Sequence, residues 1–383
     1  MKVVVAGGSL AGLMTGIEFR SAGADVEIHE RSAGILDDRG AGIVMQPETL
    51  QMLAQRCGLA EEESGVWLNY RQYLHPGGEP ATRQRMPQLM TSWGLLYRAL
   101  RRAFPPERYY EGSPLTEFSC GEFGVSVRFG AGDVQRFDLL VGADGAGSFV
   151  RQQLLPEVKP RYAGYVAWRG VVPESEAGRA LLRTFDDHFT FQQMHHSHIL
   201  CYVIPGAAGE RERGKRRLNW VWYWNVPESE LSALMTGRDG RLHDFSVPPG
   251  QVSAQFLARQ NAVVDELLAP PFRALWQATQ NPFLQPILDL AVPRMVFDQA
   301  LLLGDAAFVP RPHTAASASK AAANAIALGE TIRASSGDLD GALGKWESAQ
   351  LTLGRQLEAQ GRMLGNRSQI QLTSGSYGRF RQV

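Results

Sequence analysis

Apolar residues open the chain without alternation. Val3-Val4-Val5-Ala6 is a β-branched run of the kind a strand buried on both faces requires. Gly7-Gly8-Ser9-Leu10-Ala11-Gly12 breaks the run, and Leu13, Ile17 and Ala22 then recur at helical spacing up to Gly23. Val26-Glu27-Ile28-His29-Glu30 predicts a second strand, which completes a strand–helix–strand unit. Further on, the pattern predicts a proline-opened helix over 47–57 and strands over 67–74 and 80–86 about the turn Pro76-Gly77-Gly78. A helix is predicted over 95–104, alternating strands over 114–120 and 123–130, and a buried strand from Phe137 to Val141. From 161 to 225 the chain turns strand-rich and aromatic, as a separate sheet would be. Helices are predicted over 251–268 and 270–279, strands over 292–297 and 300–304, and helices over 317–335 and 338–365. The tail after Gly365 is polar, and no internal repeat is visible.

The 383 residues suit two domains or one large one. Equal numbers of basic and acidic residues, 39 of each, provide no field for nucleic acid and no polybasic membrane patch. No apolar run is long enough to cross a bilayer, and Glu18 and Arg20 end the first one too early for a signal peptide. Cys57, Cys120 and Cys201 are distant and odd in number, which fits neither a disulfide framework nor a metal site, so a reducing cytoplasm is expected.

Three segments carry chemistry. In the first, Gly7 and Gly12 occupy two positions of a dinucleotide-binding fingerprint, Ser9 replaces its middle glycine, and Glu30 ends the second strand where ribose hydroxyls would lie. The second is Gly142-Ala143-Asp144-Gly145 with Ser148 and Arg151. The third is Leu302-Leu303-Gly304-Asp305-Ala306-Ala307, followed by Pro312. Each alone is equally a strand-end turn. Together and in this order they resemble the single-component FAD-dependent aromatic hydroxylases. Tyr162-Ala163-Gly164-Tyr165, Trp168-Arg169-Gly170, Trp222-Tyr223-Trp224-Asn225 and Pro310-Arg311-Pro312-His313 are similar to the branch of that family acting on hydroxypyridines.

The resemblance implies an α/β fold of the para-hydroxybenzoate hydroxylase type: a Rossmann-like FAD-binding domain, an inserted β-sheet substrate domain and C-terminal helices. The boundaries expected are 1–70, 95–162 and 285–383 for the first and 71–94 and 163–284 for the second. It places Gly7, Ser9, Leu10 and Gly12 at the FAD pyrophosphate, Glu30 at the adenosine ribose and Arg31 beside the adenine. Gly304 and Asp305 would hold ribitol and pyrophosphate, with Asp144 of the middle segment also at the cofactor. Pro312, Ala315 and Ala318 would pass under the pyrimidine ring, and Arg39, Gly42 and Gln46 would approach the isoalloxazine. Tyr97 stands where many relatives have an arginine near FAD. The implied reaction hydroxylates an electron-rich ring, a hydroxypyridine or phenol, with NAD(P)H and O2 through a flavin C4a-hydroperoxide. A monomer or homodimer is expected, without metal.

No base follows from spacing. His313 beside the flavin segment is either a substrate contact or a loop histidine bonded to backbone. Tyr223 alternates with Trp222 and Trp224, so it faces the other side of its strand, in the core or at the substrate. His195, His196 and His198 read as a surface turn rather than a metal cluster. The aromatic strands at 165–168 and 219–225 are expected to roof the site and keep it dry. A plain dehydrogenase would leave the second and third segments unexplained. A flavin halogenase needs a lysine in the N-terminal third, and none occurs between Lys2 and Lys159.

Overall fold

A computed structural model describes residues 1–34, 42–335 and 338–369. The strand Lys2–Ala6 is buried on both faces because it lies inside a six-stranded sheet. Across that sheet stand Val296–Phe297, Ala300–Leu302, Leu139–Gly142, Lys2–Ala6, Asp25–His29 and Tyr109–Tyr110, all parallel except the first. The helices Leu10–Ser21 and Ser317–Ala334 pack against each other over it. A three-stranded sheet, Leu115–Gly121, Gly124–Phe129 and Gln135–Phe137, contributes Val125, Val127 and Phe137 to the same core.

The single strand predicted from Phe137 to Val141 is two. Gln135–Phe137 belongs to the three-stranded sheet and Leu139–Gly142 to the large one. Asp138 marks the crossing: its backbone N–H donates to the Lys2 carbonyl and its carboxylate accepts from the Lys2 backbone N–H at 2.6 Å.

The second large sheet has nine strands, in the order Phe308–Val309, Phe283–Ala291, Arg161–Pro173, Arg217–Asn225, Ser197–Ile204, His188–Met194, Val66–Leu74, Pro80–Ser92 and Gly42–Val44. This departs from the expected boundaries. Gly42–Val44, Phe308–Val309 and the end of Phe283–Ala291 lie in this sheet, although the sequence assigned them to the other unit. Phe283–Ala291 was not predicted as a strand at all. Pro286 sits inside it, where a proline argues against a central strand, and the pairing with Arg161–Pro173 shifts register between Tyr162 and Val166 beside it. The short helices Arg179–Phe185 and Glu228–Leu234 were also unanticipated. The last helix, Leu339–Gln369, touches strands of both large sheets. No helix among the described residues is long and apolar enough to cross a membrane.

Candidate functional site

The three chemical segments meet at one end of the six-stranded sheet. Gly7 adopts φ +106°, and a Cβ there would lie 2.4 Å from the Ala143 carbonyl oxygen. A Cβ on Gly12 would lie 1.8 Å from the Gly7 oxygen, so the chain's own packing dictates both glycines. Gly304 sits against Ala11 of the first helix, and Arg151 donates to the Ala306 carbonyl at 3.0 Å.

At the start of Leu10–Ser21 the Ser9 hydroxyl makes no capping bond, and the first turn carries no acid. The helical ladder begins with Leu13 N–H donating to the Ser9 carbonyl at 3.0 Å, which leaves the N–H groups of Leu10, Ala11 and Gly12 at the positive end of the helix dipole. Glu30, buried at the end of its strand, accepts from the backbone N–H of Gly8 at 2.8 Å and of Ser32 at 2.9 Å. Its carboxylate thus ties the turn to the second strand and keeps lone pairs for further donors. Arg31 is exposed.

Tyr97 lies behind this turn. It is buried, stacked on Trp93, and its hydroxyl is 3.3 Å from that of Tyr109, which donates to the Gly8 carbonyl at 2.9 Å. Asp144 has an architectural task. Its carboxylate accepts from Ser148 Oγ and from the backbone N–H groups of Phe149 at 2.7 Å and Val150 at 3.2 Å, at the start of the helix Phe149–Leu154. The short acid-glycine signature reads the same for a cap as for a ligand.

A second open helix end belongs to Ser317–Ala334. Ala316 at the cap has no side-chain acceptor and the first turn has no acid. Ala315 is left-handed at φ +54°, where the family's glycine would be at ease. Pro312 is exposed and Ala318 half-buried. The Gly304 N–H donates to Asn324 Oδ1 at 3.1 Å, and the Asp305 side chain stays 40% exposed while Lys320 Nζ donates to it at 2.8 Å. Lys320 is otherwise buried and also donates to the Phe308 carbonyl. Gly42 donates its N–H to Asn219 Oδ1 at 2.9 Å and packs against Tyr202. Gln46 is half-buried just before the helix Pro47–Met52. Arg39 lies outside the described residues.

The nine-stranded sheet turns two unlike faces. Register places His198, Tyr223 and Ala167 in one row, Leu200, Val221 and Arg169 in the next, and Tyr202, Asn219 and Val171 in a third. Strand alternation puts these on one face and Trp168, Trp220, Trp222 and Trp224 on the other. The expected aromatic roof is therefore corrected: Trp168, Trp220 and Trp222 pack on Trp276 of the helix Pro270–Gln277, away from Tyr223. His198 is also corrected. It is buried in the sheet and accepts at Nδ1 from the Gln369 amide at 2.9 Å, while only the turn residue His195 is exposed.

His313 closes this face from the loop after Pro312. Its Nε2 lies 2.8 Å from the Tyr165 hydroxyl, a side-chain partner and not the backbone. Its ring centroid is 4.7 Å from Tyr223 and 5.3 Å from His198. Burial, with His198 and Arg311 adding to it, holds the His313 pKa well below the ordinary value, and burial lowers His198 to about 3. Burial raises Tyr165 and pushes Tyr223 up to about 12. Hydroxyls and imidazoles are thus neutral near pH 7, and the Tyr165 hydroxyl and His313 Nε2 share one hydrogen bond. Arg311 positions the loop through a two-pronged buried pair with Asp289, Nε–Oδ1 at 2.8 Å and Nη2–Oδ2 at 2.7 Å, and through Asn366 of the last helix at 2.9 Å. Among the described residues no group of three or more ligating side chains could hold a metal.

A helix start packed through glycines with an acid at the second strand end is the arrangement of a dinucleotide-binding unit. The chain belongs to the single-component FAD-dependent aromatic hydroxylases, monooxygenases of the para-hydroxybenzoate hydroxylase fold. It is 37% identical to 2,6-dihydroxypyridine 3-monooxygenase of Paenarthrobacter nicotinovorans over 92% of this chain and 88% of that protein. The solved structure of 2,6-dihydroxypyridine-3-hydroxylase from Arthrobacter nicotinovorans superposes with a TM-score of 0.90 at 35% identity, covering 96% of this chain and 92% of that one. Klebsiella pneumoniae HpxO, solved with FAD and uric acid, shares the fold at a TM-score of 0.78 and 22% identity, over 97% and 89% of the two chains. Residues 162–289 match the family described as FAD binding domain-like.

The residues fit FAD. Two helix starts with no side-chain cap and no acid in the first turn suit a diphosphate and an electron-rich flavin edge. Gly7 and Gly12, which the chain's own packing requires, set the helix start tightly against the strand end.

Proposed function

We propose that this monooxygenase hydroxylates a hydroxypyridine ring, with NAD(P)H as transient reductant and O2 as the oxygen source. The observation that carries the reading is the neutral, buried Tyr165–His313–Tyr223–His198 group on the sheet face, in a chain 37% identical to a dihydroxypyridine monooxygenase. When bound, FAD supplies the reduction of O2 and the transfer of one oxygen atom.

The chain's residues do the rest. Leu10, Ala11 and Gly12 N–H groups and the Ser9 hydroxyl bind the pyrophosphate, Glu30 accepts from the ribose, and Arg31 lies at the adenine. Gly304 and Asp305 hold the ribitol, Asp305 kept in place by Lys320. Pro312, Ala315 and Ala318 would hold the pyrimidine end of the flavin, and the Ser317–Ala334 helix start would stabilise negative charge there. Gly42 and Gln46 border the isoalloxazine. The six-stranded sheet and its helices form the cofactor unit, and the nine-stranded sheet forms the substrate unit. Tyr223 and His313 contact the ring. His313, neutral and with Nε2 occupied by Tyr165, presents Nδ1–H as a donor to a ring oxygen, and the closed face excludes water.

The test is NAD(P)H consumption by the FAD-loaded protein with and without 2,6-dihydroxypyridine. Stimulation by the ring together with FAD retention is expected. Asp305→Ala should weaken FAD about 10- to 150-fold, the range for a charge-assisted hydrogen bond. A variant with a lowered melting point and unchanged FAD affinity would assign Asp305 to the fold instead.

A further inference from the structure

We infer that Arg169 is the specificity-determining residue that binds the ring as an anion, its guanidinium facing an ionised ring hydroxyl. This rests on the reading above, that the ring lies against this sheet face. Arg169 stands at the centre of the face, level with Val221 and Leu200, between the row of Tyr223 and His198 and the row of Asn219 and Tyr202. Those rows meet the two loops that border the reaction centre: Gly42 bonds to Asn219, and His313 packs on Tyr223.

One edge of the guanidinium is held. Nη1 donates to Gln285 Oε1 at 2.7 Å, and the group lies 5.7 Å from the Phe283 ring centroid. Nε on the other side is buried and has no hydrogen-bond partner. Two arginines just outside the strands differ: Arg216 pairs with Glu174 at 2.6 Å and Arg311 with Asp289 at 2.7 Å, whereas Arg169 forms no ion pair among the described residues. The titratable groups facing it are Tyr202, Tyr223, His198 and His313, and burial keeps all four uncharged near neutral pH. Arg169 is therefore a half-buried cation without an ion pair, next to the Tyr223 row; the other such cation on this face, Arg71, lies farther along the Tyr202 row, 5.3 Å from the Phe189 and Phe191 ring centroids. Burying a cation without a counter-ion is costly, and a planar oxyanion removes that cost. The anion is also the more electron-rich ring, the form that accepts oxygen most readily. Arginine suits this task because it stays charged at every working pH and offers a flat, side-on edge.

The experiment titrates the FAD-loaded enzyme with 2,6-dihydroxypyridine and with 2,6-dimethoxypyridine, which cannot ionise, following the flavin absorbance. Wild type, Arg169→Met and Arg169→Lys are compared across the ring's ionisation. In Arg169→Met, dihydroxypyridine should bind about 10- to 100-fold more weakly. Dimethoxypyridine binding, FAD content and melting temperature should stay as in wild type. Arg169→Lys should recover part of the loss. Wild-type affinity should rise with pH through the ring's ionisation, and Arg169→Met should lose that rise. Unchanged dihydroxypyridine binding in Arg169→Met, or an equal loss for both rings, would overturn the assignment and leave the substrate reading standing. A wild-type enzyme that holds FAD but binds neither ring would overturn both.

Discussion

The same strands build both faces of the nine-stranded sheet, and the two faces do opposite things. On one, Trp168, Trp220 and Trp222 converge on Trp276 with ring centroids 5.3–5.7 Å apart, a dry core of large volumes. Trp222 and Trp220 place their indole N–H groups on Ser197 Oγ at 2.9 Å and Thr279 Oγ1 at 2.8 Å, so even their polar atoms serve the packing. On the other face, residues just as buried are tyrosines, His198 and Asn219, gathered round a half-buried Arg169. The lesson is that burial alone does not distinguish core from site. The partners differ: Trp222 and Trp220 bond to Ser197 and Thr279, while on the other face Asn219 meets Gly42, Tyr165 meets His313 and His198 meets Gln369 of the last helix.

The largest effect expected is on the tryptophan face. Trp222→Ala should cost about 3–5 kcal/mol of unfolding free energy, the range for truncating a large buried aromatic. FAD affinity of the molecules that remain folded should not change. Denaturant titration with parallel FAD binding checks this, and a loss of affinity at unchanged stability would erase the contrast between the faces.

Acid should act next. His29 and His198 are held neutral, with pKa values lowered to about 4 and about 3. The unfolded chain binds protons at these imidazoles below about pH 6.5 and the folded chain does not, so stability falls as pH drops from there toward 4 and then 3. The loss is on the order of 3 kcal/mol per histidine, and none of it is present above pH 6.5. Measuring unfolding free energy against pH for wild type and His198→Gln separates the contribution of the polar face: the variant should show the shallower acid limb.

Tyr165→Phe breaks the contact that orients His313. Stability should fall by only about 1 kcal/mol, while kcat falls roughly 10-fold and the substrate dissociation constant moves little. An unchanged kcat would make Tyr165 a packing residue like the tryptophans behind it.

The parallel sheet and the meeting of three segments were legible because unalternating apolar runs and glycine turns have few other uses. The polar face was legible in part. Alternation told that Tyr223 opposes Trp222 and Trp224, but nothing local tells which face meets a ligand. The same alternation run through Ser197–Ile204 would have set His198 and Tyr202 beside it, had the three nearby histidines not looked like a turn. The capping bonds of Asp144 were not legible, because a helix cap and a cofactor ligand share one sequence pattern. Phe283–Ala291 stayed hidden behind Pro286. The partnership of Arg311 with Asp289 and of Tyr165 with His313 spans stretches of chain that only the folded topology joins.

The smallest change expected is a gain. Ala315 is left-handed at φ +54°, so Ala315→Gly should raise stability by up to about 1 kcal/mol, partly offset by the freer unfolded chain. A melting-temperature comparison suffices, and a fall would show that the methyl group packs usefully beside the cofactor.

The central claim is that this sheet face presents a ring to the flavin for oxygen transfer. The most direct test gives the FAD-loaded enzyme NAD(P)H, 2,6-dihydroxypyridine and isotopically labelled O2, and weighs the product. The account predicts a hydroxylated pyridine carrying one labelled oxygen atom per NAD(P)H consumed. Label found only in water or peroxide, with the ring recovered unchanged, would contradict it.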